Sequence, residues 1–172
     1  MIETVLRALR LLAIVAWVGG LAFFAFVLAP VAFHRLPSTH EAGIVVGGTL
    51  PILHMIGLVS GAVFYIATGV LWLRAEVQAR VVFSLEMVLT GIMLAITTYS
   101  QYKVLPAMEQ DRVAAGGVIE TADIQNPARL DFERRHVISE RLEGAVFFCG
   151  LGVVLLLAGE GTRSETGKIR RI

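Results

Sequence analysis

From Leu11 to Phe33 the chain carries no charged side chain: LLAIVAWVGGLAFFAFVLAPVAF. As a helix this run reaches roughly 34 Å, enough to cross the ~30 Å hydrocarbon layer of a bilayer. A helix on the surface of a soluble domain needs a polar face, and this one is apolar all round. The remaining sequence repeats the pattern three times. Ala42–Leu73 has no formal charge, Val81–Tyr102 is interrupted only by Glu86, and Gly144–Gly159 is again apolar. The last run is too short to cross alone, so its span must begin near Val137 and take in Glu140, Arg141 and Glu143.

The pattern predicts an all-α polytopic membrane protein, an up-down bundle of four transmembrane helices forming a single domain over residues 1–160. The spans are expected at 9–33, 43–73, 81–103 and 137–159, with an extramembrane loop at 104–136 and a polar, mobile tail at 161–172. The first helix is expected to end near Ala29-Pro30, and Glu76–Arg80 to form a tight turn. Pro51 is a natural place for a kink. Trp72, Arg74, Tyr99 and Tyr102 mark interfaces. Asn126-Pro127 reads as a cap followed by proline in the first turn of a long helix that runs to about Gly159.

Composition agrees with a lipid setting: 56% of the residues are hydrophobic and 17% charged, and the mean hydropathy is +0.73. A net charge of +1 offers no concentrated basic face for nucleic acid. Arg7 and Arg10 resemble the basic start of a signal peptide, but the apolar run behind them is twice the usual length and further spans follow, so it reads as a retained helix. With four spans both termini share one side. Arg7, Arg10, Arg74, Arg80, Arg163, Lys168, Arg170 and Arg171 fall there, which points to cytoplasmic termini. Cys149 is the single cysteine, so no intrachain disulfide can form.

Polar side chains within the spans carry the functional signal, because each is costly in lipid unless paired or hydrated. At 100° per residue Glu86, Thr90, Met93, Thr97 and Gln101 share a face of the third helix. Gly43, Gly47, His54, Gly57, Gly61, Tyr65 and Thr68 share a face of the second, and Phe132, His136, Ser139, Glu140 and Glu143 a face of the fourth. Gly43/Gly47 and Gly57/Gly61 are small-xxx-small pairs that let helices approach closely. Trp17 and Thr68 are expected at the depth of Glu86. Glu86 is then either a structural acid bonded to Trp17 or a proton or cation site.

His34, His40, His54 and His136 all fall toward the non-cytoplasmic half. His54, His136, Glu140 and Glu143 combine imidazole and carboxylate, a donor set that suits a transition metal, and His136/Glu140 has the i, i+4 spacing of a helical ligand pair. The competing reading pairs these groups with each other, with lipid headgroups or with Arg134 and Arg141. No nucleophile–base pair, phosphate loop or dinucleotide fingerprint occurs, so a non-enzymatic role is expected.

Trp17-Val18-Gly19-Gly20, Ala29-Pro30, Ala42-Gly43, Tyr102-x-x-x-Pro106 and Phe132-x-x-x-His136-x-x-Ser139 resemble the domain-of-unknown-function 4149 family, bacterial proteins related to animal transmembrane protein 205. The resemblance implies four membrane helices, no established catalytic activity and a bacterial inner membrane. The animal relative's association with platinum-drug resistance implies metal-complex export. The first helix is also similar to copper-resistance D-type proteins and, distantly, to a haem-binding bacterial protoporphyrinogen oxidase. Those have a histidine ahead of the tryptophan. Leu9–Ala16 has none, so a transition metal is the better cofactor expectation than haem.

The leading expectation is a non-enzymatic membrane protein that binds or moves a small cationic or metal-containing ligand. Its route would run from His54, His136 and Glu143 past Thr97 and Thr90 to Glu86, in a homo-oligomer or with a partner. The alternative is an accessory subunit of a larger respiratory or photosynthetic membrane complex, stabilising neighbours, lipid or pigment.

Overall fold

The computed structural model describes the backbone of residues 1–169 and the side chains of residues 1–160. Four long helices account for nearly all of it: α1 (Ile2–Arg35), α2 (Thr39–Arg74), α3 (Val77–Ala114) and α4 (Pro127–Ile169). Among the described residues there is no strand. Each helix packs on the next in sequence, and α4 returns to α1, closing an up-down ring. The fold is an all-α four-helix membrane bundle.

Lipid explains both the helices and what they expose. Backbone groups in hydrocarbon must be bonded internally, which a helix achieves on its own. The outer surface is correspondingly oily, with Leu12, Phe26, Ile52, Ile66, Val88, Phe148 and Leu155 exposed. Inside, Ile14, Trp17, Leu21, Phe64, Met93, Val146 and Val153 form the core.

The helices outrun the expected spans, and prolines explain part of this. Pro30 does not end α1. The helix widens into a π turn at Phe24–Leu28, where the Ala29 amide reaches back to the Phe24 carbonyl, and then continues to Arg35. Proline lacks an amide hydrogen and crowds the carbonyl one turn back, and a wider turn relieves both problems. The same device recurs in α3, where a π turn at Ser100–Val104 precedes Pro106. Pro51 lies inside α2, which runs through it unbroken.

The expected turn at Glu76–Arg80 is shorter than the sequence suggested. Helix α3 already starts at Val77, and Arg80 Nε donates to the Ala75 carbonyl at 3.0 Å. The stretch 104–136 is mostly helical, not loop: α3 runs to Ala114 and α4 starts at Pro127. Asn126 caps α4 through its side chain, which accepts from the Ala128 amide at 2.9 Å. The two extensions are tied by an Arg135–Asp111 ion pair.

In the connection between them only Gly116 and Gly117 adopt positive φ, as a chain reversal there requires. Glu120 on the 3-10 turn Ile119–Thr121 bonds Thr39 at the start of α2. That bond holds its carboxyl below the ordinary value. The polar tail expected at 161–172 lies outside the described side chains.

Gly57 and Gly61 form the α1–α2 contact. A Cβ on either would overlap the Trp17 indole, and one on Gly61 would also strike Leu94. Gly43 and Gly47 do not pack this way. Both are exposed, and a Cβ on either meets nothing within 4 Å. The buried stripe of α2 passes instead through Ala42, Leu50, Leu53 and His54. Gly43 is one residue, about 100°, off that line. Tyr65 is likewise turned outward.

Gly57→Ala should therefore lower the stability of the detergent-solubilised protein by about 1–3 kcal/mol through overpacking against Trp17. Gly43→Ala should be neutral, or stabilising by up to about 1 kcal/mol through helix propensity. Thermal unfolding monitored by circular dichroism compares the two, and equal effects would contradict the packing described.

Candidate functional site: two polar clusters inside the bundle

Two groups of polar side chains lie within the ring, one toward each end. The first is centred on Arg10. This residue belongs to the buried stripe of α1 with Ile14, Trp17 and Leu21, so it points inward despite its charge. The Arg10 side chain is completely buried. Its guanidinium pairs with Glu86 of α3, also fully buried, and with Glu160 of α4 at 2.8 Å. Arg7 reaches the same Glu160 at 2.6 Å from the surface. Phe64 and Phe83 hold rings about the Arg10 guanidinium, with centroids at 5.2 and 5.1 Å. Two arginines thus meet two carboxylates, joining three of the four helices through ions.

The second cluster is centred on His54 of α2. Its Nε2 lies 2.7 Å from Glu143 of α4 and its Nδ1 lies 3.0 Å from Gln101 of α3. Ser100 donates to the same Glu143 oxygen at 3.4 Å. Ser100 and Gln101 are neighbours in the π turn ahead of Pro106. A π turn spreads its residues more closely in angle than an α turn, which lets both reach the interior. π turns recur at functional positions for this reason.

The clusters are separated by most of the membrane. From Gln101 to Glu86 along α3, and from His54 to Thr68 along α2, the rise is roughly 21–23 Å. Thr68 therefore lies at the level of Glu86, as expected. Between the clusters the interior is lined by Thr90, Thr97, Met93, Val146 and Val153, all buried. Within this column several buried oxygens have no hydrogen-bond partner among the described residues. They are Thr68, Thr90 and Thr97 Oγ1, Glu86 Oε1 and Glu143 Oε2, and Arg10 Nε shares the condition.

Several of the expected site residues sit elsewhere. Trp17 is not bonded to Glu86; Arg10 occupies that depth, and Trp17 stands roughly 10 Å further along α1, against Gly57 and Gly61. His136 and Glu140 do not join His54. They face outward, half or more exposed, and pair with each other at 3.3 Å, with Phe132 stacked on the imidazole. An i, i+4 spacing brings two side chains together on whichever side of the helix they occupy, and here that side is outside. Of the four expected metal ligands only His54 and Glu143 meet. No group of three or more His, Cys, Asp or Glu side chains converges among the described residues.

Among known families, the profile described as domain of unknown function (DUF4149) matches residues 12–115, more than half of the chain. The chain belongs to the DUF4149 family. The match covers α1 from its third turn, α2 and α3, and stops before α4. It therefore takes in His54, Glu86, Thr90, Thr97 and Gln101 of this DUF4149 member, and leaves Arg10, Glu143 and Glu160 outside. The Phe132–His136–Ser139 pattern is outside it as well. No curated protein and no solved structure matches the chain significantly.

Arg10 and Glu160 are the residues sequence reasoning passed over. Both flank apolar runs, where basic and acidic groups normally mark the water interface. The signal was their phase: Arg10 lies one and two turns before Ile14 and Trp17, and Glu160 two turns after Val153. Arg10→Ala should destabilise the protein by about 3–5 kcal/mol, since it strands Glu86 in a buried position. The double variant Arg10→Met/Glu86→Met should recover much of that loss. Unfolding measurements on the two single variants and the double one give the coupling directly, and simple additivity would contradict the ion pair.

Proposed function

We propose that this DUF4149 protein is a non-enzymatic membrane carrier of small cations, and that the proton is the cation its interior admits. The observation that carries the reading is the column of unpartnered buried oxygens at Thr68, Thr90, Thr97, Glu86 and Glu143. They lie at or between a histidine–carboxylate pair and an arginine–carboxylate cluster. A hydroxyl can accept one proton and donate another, so Thr90, one turn from Glu86, and Thr97, two turns further on, suit steps of a relay. Ionisable groups facing the interior of a bundle commonly mark such a path. Met93, Val146 and Val153 fill the space between, so any ion larger than a proton needs side chains to move aside.

His54 is the natural exchange point at one end, because an imidazole can take a proton on one ring nitrogen and release one from the other. Glu86 is the acceptor at the other. A metal at His54 would find Glu143 and Gln101 beside it, a sparse donor set. We also propose that the termini are cytoplasmic, on the strength of the arginines at 7, 10, 74 and 80.

A second reading is favoured by one observation. Gly43 and Gly47 present a bare helix face to the outside. Such faces serve close helix–helix contact, as in a homo-oligomer or an accessory subunit of a larger complex.

The purified chain reconstituted in vesicles with an internal pH dye should acidify or alkalinise the lumen when a potassium diffusion potential is applied. Thr90→Val/Thr97→Val leaves both ion clusters intact and should slow the flux about tenfold, the loss expected for removing one or two hydrogen bonds of ~1 kcal/mol. Flux equal to that of protein-free vesicles, or unchanged in the valine variant, would refute the relay.

A further inference from the structure

A groove runs down the outer surface between α2 and α3, away from both interior clusters. Its floor is the α3 stripe Ser84, Val88 and Gly91, residues too small to fill the gap, and its α2 wall is Trp72 and Tyr65. The groove opens at the α2–α3 turn beside Arg80. Along α3 it extends from Arg80 to Ala95, roughly 22 Å, against ~15 Å for the acyl region of one leaflet.

Arg80 is held in a fixed pose at the mouth. Its Nε donates to the Ala75 carbonyl at 3.0 Å, and its guanidinium lies 5.1 Å from the centre of the Trp72 ring. The Trp72 indole is itself anchored to Ser84 Oγ at 3.1 Å. These contacts leave the two terminal guanidinium nitrogens without a partner among the described residues. A guanidinium presenting two such nitrogens matches two phosphate oxygens.

We propose that this groove is a binding site for an anionic phospholipid, with the phosphate on Arg80 and one acyl chain laid along Ser84, Val88 and Gly91. Charge selects the headgroup, and the row of small residues admits the chain. An indole edge at the level of the headgroups suits an interfacial site. The site is independent of the proton reading, since none of its residues belongs to the interior column.

The chain has two tryptophans, of which Trp17 is buried in the core, so quenching by lipid bromine reports mainly on Trp72. The full chain is reconstituted in vesicles mixing phosphatidylcholine with phosphatidylglycerol, with bromine placed on the acyl chains of one lipid at a time. Phosphatidylglycerol should quench with about fivefold preference over phosphatidylcholine, the scale of one basic residue at an anionic surface. Arg80→Gln should bring that preference close to parity with helix content unchanged. Added inorganic phosphate should not compete, because it lacks the chain. Equal quenching by both lipids in the unaltered protein, full preference retained in Arg80→Gln, or displacement by inorganic phosphate would each overturn the proposal.

Discussion

Arg10 is wholly buried inside the bundle, and the other three helices close around its guanidinium, two of them with a carboxylate. Its partners Glu86 and Glu160 come from α3 and α4, and Phe64 of α2 covers a face of the guanidinium. Desolvating an ion pair costs several kcal/mol per ion, so such a group is tolerated only where geometry and extra hydrogen bonds compensate. It therefore contributes specificity more than raw stability: a shifted register of α1, α3 or α4 would leave a bare charge in lipid. The His54–Glu143–Gln101 contact does the same at the other end, tying α2, α3 and α4. Between these two clasps the bundle is held by close packing, with the Trp17 indole laid over Gly57 and Gly61.

Polar groups that fix helix register must lie inside the ring, and once there they form a polar column across an otherwise oily protein. Thr49 and Thr98 turn their hydroxyls back onto their own helix, whereas those of Thr68, Thr90 and Thr97 have no partner among the described residues. A structure built only for packing could place valine at 90 and 97, which has the same shape. The two π turns extend the logic. Each takes up the strain of a proline, and the one in α3 also turns Gln101 toward His54 and Ser100 toward Glu143.

The four helices were legible because a charge-free stretch longer than the bilayer is thick has no polar face to offer water, and lipid is the solvent that suits it. The stripe Glu86–Thr90–Met93–Thr97 was legible too, since 100° steps over eleven residues accumulate little error. Projections of the same length along α2 failed. Extending the face of α2 back from His54 to Gly43 missed the buried line by one residue, and Tyr65 fell on the wrong side. Arg10 and Glu160 were passed over as site residues because charge at the edge of an apolar run usually marks water, and only phase with Trp17 and Val153 betrays the inward turn. Ser100 could not be found by helical angles, which assume an α turn where the chain makes a π turn. His136 and Glu140 show that spacing along one helix fixes a pair but not the side it faces.

The bundle depends most on Arg10 being held by protein carboxylates and not by lipid phosphate. Solid-state NMR on the protein in bilayers, with labelled arginine nitrogen and glutamate side-chain carbon, measures this through dipolar couplings. A strong coupling from the Arg10 guanidinium to the Glu86 and Glu160 carboxyl carbons, with none to phosphorus, is the expected result. Coupling of Arg10 to lipid phosphorus, with Glu86 uncoupled, would contradict it.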